Sequence, residues 1–319
     1  MTAKRKNVWM FSGQGSQFLG MGRDLYENEP VFRECMDRCD RIARPWINAS
    51  LTETIYRADR SAAFDDTHLT HPAIFSVQWS LARTLLARGH RPDVLVGYSL
   101  GEMVAHIVAE TIPLETGLEL LHRHASLMES ATPEGGMLAI LGKPDELKAH
   151  WADIPDVWIS ARNFENHFVV SGTTRALDQL ESRLEVENTT RQRLPIRRAF
   201  HSPLMEPAKP EFQTWIATLR PAPPKFDIIS SATADRSTGL GSLWTATREP
   251  VEFQRTIRRL EAESPDGCAY VDLGPSGTLA TFVKYMRVAP RSAFFPIITP
   301  WGGAEKNIQS AHPNSSEAS

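Results

Sequence analysis

"DVLVGYSLGEMVAHIVA", residues 93–109, passes from an apolar run through a serine-bearing bend into a stretch with helical spacing. A short apolar run that feeds directly into a helix reads as a buried strand of a parallel sheet. Ser99 then lies on a strand-to-helix turn at the carboxyl edge of that sheet. Its flanking glycines, Gly97 and Gly101, allow neighbouring backbone to pack closely around a strained bend. The helix that follows aims N–H groups at any negative charge forming there. Gly-x-Ser-x-Gly alone leaves two roles open for Ser99, an attacking hydroxyl or a helix cap.

Outward from this stretch the first 130 residues alternate in the same way. NVWMF (7–11) reads as a strand, VFRECMDRCDRIA (31–43) as a helix, and HPAIFSVQWSLARTLLARG (71–89) as a long helix ending at Gly89. LETGLELLHRHASLMESA (114–131) follows as another helix. Strand–helix alternation implies an α/β fold with a parallel sheet covered on both faces. From GGMLAILG (135–142) the texture changes to strand, helix, strand, turn, strand, helix, strand, ending with RQRLPIRRAFH (191–201). That βαββαβ order is the pattern of a ferredoxin-like subdomain. The expected organisation is a large, discontinuous α/β-hydrolase-like domain over 1–130 and 199–300, a ferredoxin-like insert over 131–198, and an unstructured polar tail over 301–319.

Composition narrows the function classes. The chain has 319 residues, 41% of them apolar, and a net charge of −3, which supplies no broad basic surface for nucleic acid. No apolar run approaches the roughly 20 residues needed to span a bilayer, and MTAKRKNVWMF lacks the apolar core of a signal peptide. Cys35 and Cys39 lie one helical turn apart with no histidine nearby to complete a metal site. With Cys268 they read as reduced thiols of a cytoplasmic protein, and no metal is expected.

A second motif bears on Ser99. FSGQGSQFLGMG (11–22) follows the first strand directly, and its interleaved glycines and glutamines form a flexible, donor-rich loop that apolar packing does not call for. FSGQGSQ, GYSLGE, HPAIFSVQ, RNFENHFVVSG, RRAFHSPLM and REPVEF…VDLGPSGTL together resemble, in order, the acyltransferase family of malonyl-CoA:acyl-carrier-protein transacylase and the polyketide synthase acyltransferases. The likeness runs from about residue 7 to 300, and is nearest to the free-standing acyltransferase homologues of polyketide clusters. It implies that Ser99 is the nucleophile, acylated from a thioester, and that His201 is its general base and acid. An imidazole is what makes a hydroxyl a useful nucleophile. It further implies an oxyanion hole from the backbone N–H groups of Gln14 and Leu100, and an acyl pocket that includes Asn163 and Phe200. Asn163 reads equally well as a turn residue.

The chain departs from the family in three places. Twenty-five positions beyond Ser99, where extender-unit transferases carry a carboxylate-binding arginine, stands His124, with Arg123 one step earlier and about 100° around the helix. Histidine lacks the planar fork that grips a carboxylate, so a non-malonyl acyl group is expected, unless Arg123 turns inward. Tyr98 replaces a histidine beside the nucleophile and should shift acyl selectivity. Ala246 replaces an asparagine or glutamine near the carbonyl that orients the base.

Arg191, Arg193, Arg197 and Arg198 stand on the strand leading to His201. They form either a docking strip for an acidic carrier protein or a solvated sheet edge. The resemblance implies coenzyme A or phosphopantetheine thioesters as substrates, acyl carrier protein as partner, no bound cofactor, and a monomer. A hydrolase that clears stalled acyl groups from carriers is the close variant. A plain esterase would show the order Ser…Asp…His without the glutamine-rich loop. A non-catalytic scaffold would have lost Ser99 or His201.

Overall fold

The structure is a computed structural model, and it describes residues 5–59, 62 and 64–311. Among the described residues ten strands form two sheets. The larger has the order β10 (Ala293–Pro296), β9 (Cys268–Asp272), β1 (Lys6–Phe11), β2 (Val94–Gly97), β7 (Asp227–Ser230) and β8 (Asp235–Arg236). All its pairings are parallel except β7 with β8. β1, β2 and β9 carry almost nothing but buried residues, as strands covered on both faces must. The helix Thr67–Ala87 is buried nearly all round, so its hydrophobic face cannot be read from periodicity.

The smaller sheet has the order β4 (Val157–Phe164), β5 (His167–Gly172), β3 (Gly136–Leu141) and β6 (Arg191–Arg193), antiparallel throughout. With the helices Pro144–Leu147 and Thr174–Val186 this is the ferredoxin-like arrangement. It has its own core, in which Leu138, Ile140, Phe168 and Val170 meet Leu177, Leu180 and Leu184 of the longer helix. The small sheet is stitched to the large lobe: Arg162 donates its N–H to Val251 O at 2.8 Å, Val251 donates to Ser160 O at 2.9 Å, and the Ser171 hydroxyl donates to Phe200 O at 2.6 Å.

Two expectations need correction here. RQRLPIRRAFH is not a continuous strand. It pairs with β3 over Arg191–Arg193, with one further bond from Leu194 N–H to Met137 O, before Pro195, which has no N–H, interrupts the ladder; an isolated bridge from Glu134 to Arg198 follows. The segment beyond 301 is not wholly unstructured either. Ala304–Ser310 is a helix that buries Ala304 and Ile308, and the Asp24 carboxylate accepts its first N–H at 2.9 Å. Residues 312–319 of the expected tail lie outside the described residues. Among the described residues no helix is long and apolar enough to cross a membrane.

Candidate active site

β1 and β2 run side by side in register, Phe11 opposite Gly97, so the loops leaving their carboxyl ends are neighbours. Ser99 occupies the second of these turns with φ 56, a left-handed backbone that a non-glycine residue adopts only when its surroundings compel it. What compels it is close packing. A Cβ on Gly97 would lie 2.4 Å from Glu102 Cα, one on Gly101 would lie 2.0 Å from Phe11 O, and one on Gly13 would lie 2.9 Å from Ser99 Cβ. The glycines were rightly read as allowing this bend.

His201 arrives from the other direction, just past the small lobe, and also has a left-handed backbone at φ 60. Its N–H donates to Thr247 O at 3.1 Å. The ring spans two partners: Nδ1 to the Glu249 carbonyl at 2.8 Å and Nε2 to Ser99 Oγ at 2.8 Å. A carbonyl can only accept, so Nδ1 carries the proton and Nε2 presents its lone pair to the serine hydroxyl. Burial pushes the His201 pKa down to about 4, with the Glu249 carbonyl pulling slightly the other way, so the ring is neutral at ordinary pH. The orienting carbonyl lies three residues past Ala246, whose side chain takes no part.

The 12–17 loop is held, not flexible as its composition suggests. Gln78 clamps Ser12 from both sides, accepting its N–H at 2.7 Å and donating to its carbonyl at 3.1 Å. Gln17 accepts the Gly15 N–H, and Ser16 donates to Gly13 O. The Gln14 side chain points to Thr70 and His71. Among the described residues no group takes the backbone N–H of Gln14 or of Leu100, so both remain available for a ligand oxygen. His71 and Gln78 belong to the HPAIFSVQ motif, yet no role in the site was assigned to either. Their signal was polar side chains on a helix with almost no exposed face.

A cavity of about 50 Å³ opens beside Ser99. Its wall includes Tyr98, Phe200, Thr247, Gln14 and three histidines, His71, His124 and His201, and among the described residues no lysine or arginine. His124 is buried and donates from Nε2 to Thr247 Oγ1 at 3.2 Å, since that hydroxyl is itself committed to Leu243 O. Burial lowers the pKa of His124 to about 4 and that of His71 well below the usual range, so neither ring supplies a positive charge. Asn163 is outside the cavity wall. It accepts from the Tyr98 hydroxyl at 2.9 Å and thereby holds that ring in place.

Arg123 is turned away. It pairs with Glu119 at 2.8 Å, lies over the Trp215 ring, and cannot hold an acyl carboxylate. The basic strip is corrected too. Arg198 is buried against Glu129 at 2.5 Å and the carbonyls of Met128 and Glu129, out of any partner's reach. Arg191 pairs with Glu185, Arg193 with Asp178 and Glu181, and Arg197 with Asp65, so the strip's charge is largely cancelled. Among the described residues no group of three or more metal-ligating side chains comes together.

The sequence profile of the family described as "Acyl transferase domain" matches residues 8–285. The chain belongs to this acyltransferase family. It is 36% identical to the polyketide biosynthesis acyltransferase homolog PksD of Bacillus subtilis, covering 94% of both chains. It is 39% identical to the polyketide biosynthesis protein ThaF of Burkholderia thailandensis, over 92% of this chain but only 26% of that much longer protein. Among solved structures it resembles the malonyl CoA-acyl carrier protein transacylase of Coxiella burnetii, at 25% identity and TM-score 0.84 over 99% of this chain and 100% of that one. It also resembles the acyltransferase domain from the second module of the salinomycin polyketide synthase, at 31% identity and TM-score 0.82 over 97% and 72%. The expected acyltransferase fold and enzyme class are thereby borne out.

Proposed function

We propose that this acyltransferase moves short, uncharged acyl groups between thioesters of coenzyme A or acyl carrier protein, in the cytoplasm and in the service of polyketide assembly. The observation that carries the proposal is the 2.8 Å contact from Ser99 Oγ to a neutral His201 Nε2 whose other nitrogen is fixed on the Glu249 carbonyl. As Ser99 attacks the thioester carbonyl, its proton passes to Nε2. The tetrahedral oxyanion is received by the Gln14 and Leu100 N–H groups, each contributing about 2.7–4 kcal/mol in sites of this kind. The imidazolium then protonates the departing thiolate, leaving an ester on Ser99. An incoming pantetheine thiol gives its proton to His201, attacks the ester, and regenerates the serine through a second tetrahedral intermediate.

The neutral acyl group follows from the wall of the cavity. A malonyl carboxylate would be desolvated among uncharged rings with no cation among the described residues to meet it, which costs several kcal/mol. Size points the same way: at about 10–15 Å³ for one water-sized group, about 50 Å³ holds roughly three to five, enough for acetyl and little more. The same site serves a hydrolase if water replaces the thiol, and its neutral pocket suits the short acyl groups such an enzyme would clear.

Acetyl- and malonyl-loaded carrier protein, incubated with the enzyme and a second, empty carrier, test both statements by mass spectrometry of each carrier. Acetyl should be consumed and malonyl largely spared. Acetyl on the second carrier supports transfer, whereas free acid with no loading replaces it by hydrolysis. Unchanged labelling of Ser99→Ala by a serine-reactive probe would remove the nucleophile assignment altogether.

A further inference from the structure

Next to the acyl cavity lies a second pocket of about 290 Å³, lined by Leu127, Phe212 and Trp215 and, in no smaller part, by polar side chains that include Arg123, Ser126 and Glu211. Among the described residues only His124 lines both spaces. Its ring stacks on Phe200 of the acyl cavity at 6.2 Å and 18°, and meets Phe212 of the outer pocket edge-on at 5.8 Å. The hydrogen bond to Thr247 holds it across the gap between them.

We propose that His124 is the partition that sets acyl chain length, separating a chamber sized for two- or three-carbon acyl groups from a larger pocket whose Leu127, Phe212 and Trp215 side can take the tail of a medium-chain one. The inference rests on the acyl-Ser99 reading above. With the imidazole in place, a six-carbon chain must displace a ring wedged between two phenylalanines and tied to a threonine. With the imidazole gone, the two spaces join, and the chain runs on against Leu127, Phe212 and Trp215. Arg123, which also lines the outer pocket, stays engaged with Glu119.

The test is the ratio of kcat/KM for hexanoyl over acetyl thioesters of N-acetylcysteamine, in the wild type, His124→Ala, His124→Val and His124→Phe. A single methylene too many in a fitted pocket costs on the order of 10–200-fold, so the wild-type ratio should be about 1/30 or lower. His124→Ala should raise it at least about tenfold, His124→Val should raise it by less, and His124→Phe, which keeps a ring in the gap, should leave it at the wild-type value. A generally damaged protein would lose both substrates together and leave the ratio still. A wild type that takes hexanoyl as readily as acetyl overturns the proposal without any variant, and so does an unmoved ratio in folded His124→Ala or His124→Val. Acyl adducts on Ser99 by mass spectrometry keep the two readings apart: adducts with an unmoved ratio sink only the partition, and no adduct with either acyl group sinks the nucleophile.

Discussion

Acidification should leave the rate of acyl-enzyme formation untouched well below the pH at which an ordinary histidine would have failed. His201 works only when neutral, and burial lowers its pKa from 6.5 to about 4. At pH 5.5 a base of pKa about 4 is about 97% neutral, whereas one at 6.5 would be about 9% neutral, a tenfold difference in rate. Quenched-flow mass spectrometry of the acetylated serine between pH 4 and 8.5 reads this directly. A half-maximal rate near pH 6.5 would refute the account of a dry, carbonyl-oriented imidazole. The same shift bears on stability, and the sign is fixed by which state binds more protons. Below 6.5 the unfolded chain protonates its histidines while the folded one does not. The stabilisation is therefore complete above 6.5 and is lost as the pH falls towards 4, about 3 kcal/mol for a shift of this size. His124 and His106, each lowered to about 4 by burial, act in the same sense, as does buried His71. Buried Glu102 and Asp272, raised to about 7 and about 6, act in the opposite sense, their stabilisation being lost as the pH rises through those values. The imidazoles outnumber the carboxyls, so denaturant stability should drop between pH 6.5 and 4.5 by about 1.4 kcal/mol per pH unit for each unmatched ring.

Placing a cation in the acyl cavity should change what it accepts: His124→Arg is expected to raise the malonyl-to-acetyl ratio of kcat/KM by about 10–150-fold, the equivalent of 1.5–3 kcal/mol for a charged hydrogen bond. A folded variant with an unchanged ratio would mean that charge does not govern acyl choice here. Gly101→Ala drives a methyl into the Phe11 carbonyl, so it should cost about 3 kcal/mol or more and abolish Ser99 labelling, as thermal melts and a serine probe would show. A variant that melts and labels like the wild type would refute the close-packed bend.

The alternating texture of the chain was enough to foresee the architecture, because buried parallel strands and the βαββαβ order each leave a local pattern. The meeting of Ser99 and His201 was legible only through the resemblance, since no local pattern links positions 102 apart. Paired charge is not legible in a strand taken by itself. Arg193 reads as a basic strand residue until the helix Thr174–Val186 brings Asp178 and Glu181 across it, and Arg198 until the helix Leu114–Ala131 brings Glu129. The stiffness of the 12–17 loop depends on Gln78, a residue 66 positions away from Ser12. His71 is not distinguished in the sequence, because a helix buried on every side has no polar face against which a functional side chain stands out.

The backbone bonds and the Ser171 hydroxyl that stitch the small lobe to the large one at Val251 and Phe200 carry a consequence for how such an enzyme diversifies. A cleft between lobes laced together in this way resists spreading for a bulkier guest. Its repertoire must then be rewritten one side chain at a time, by trimming or filling the lining, and a handful of positions becomes the whole alphabet of its selectivity.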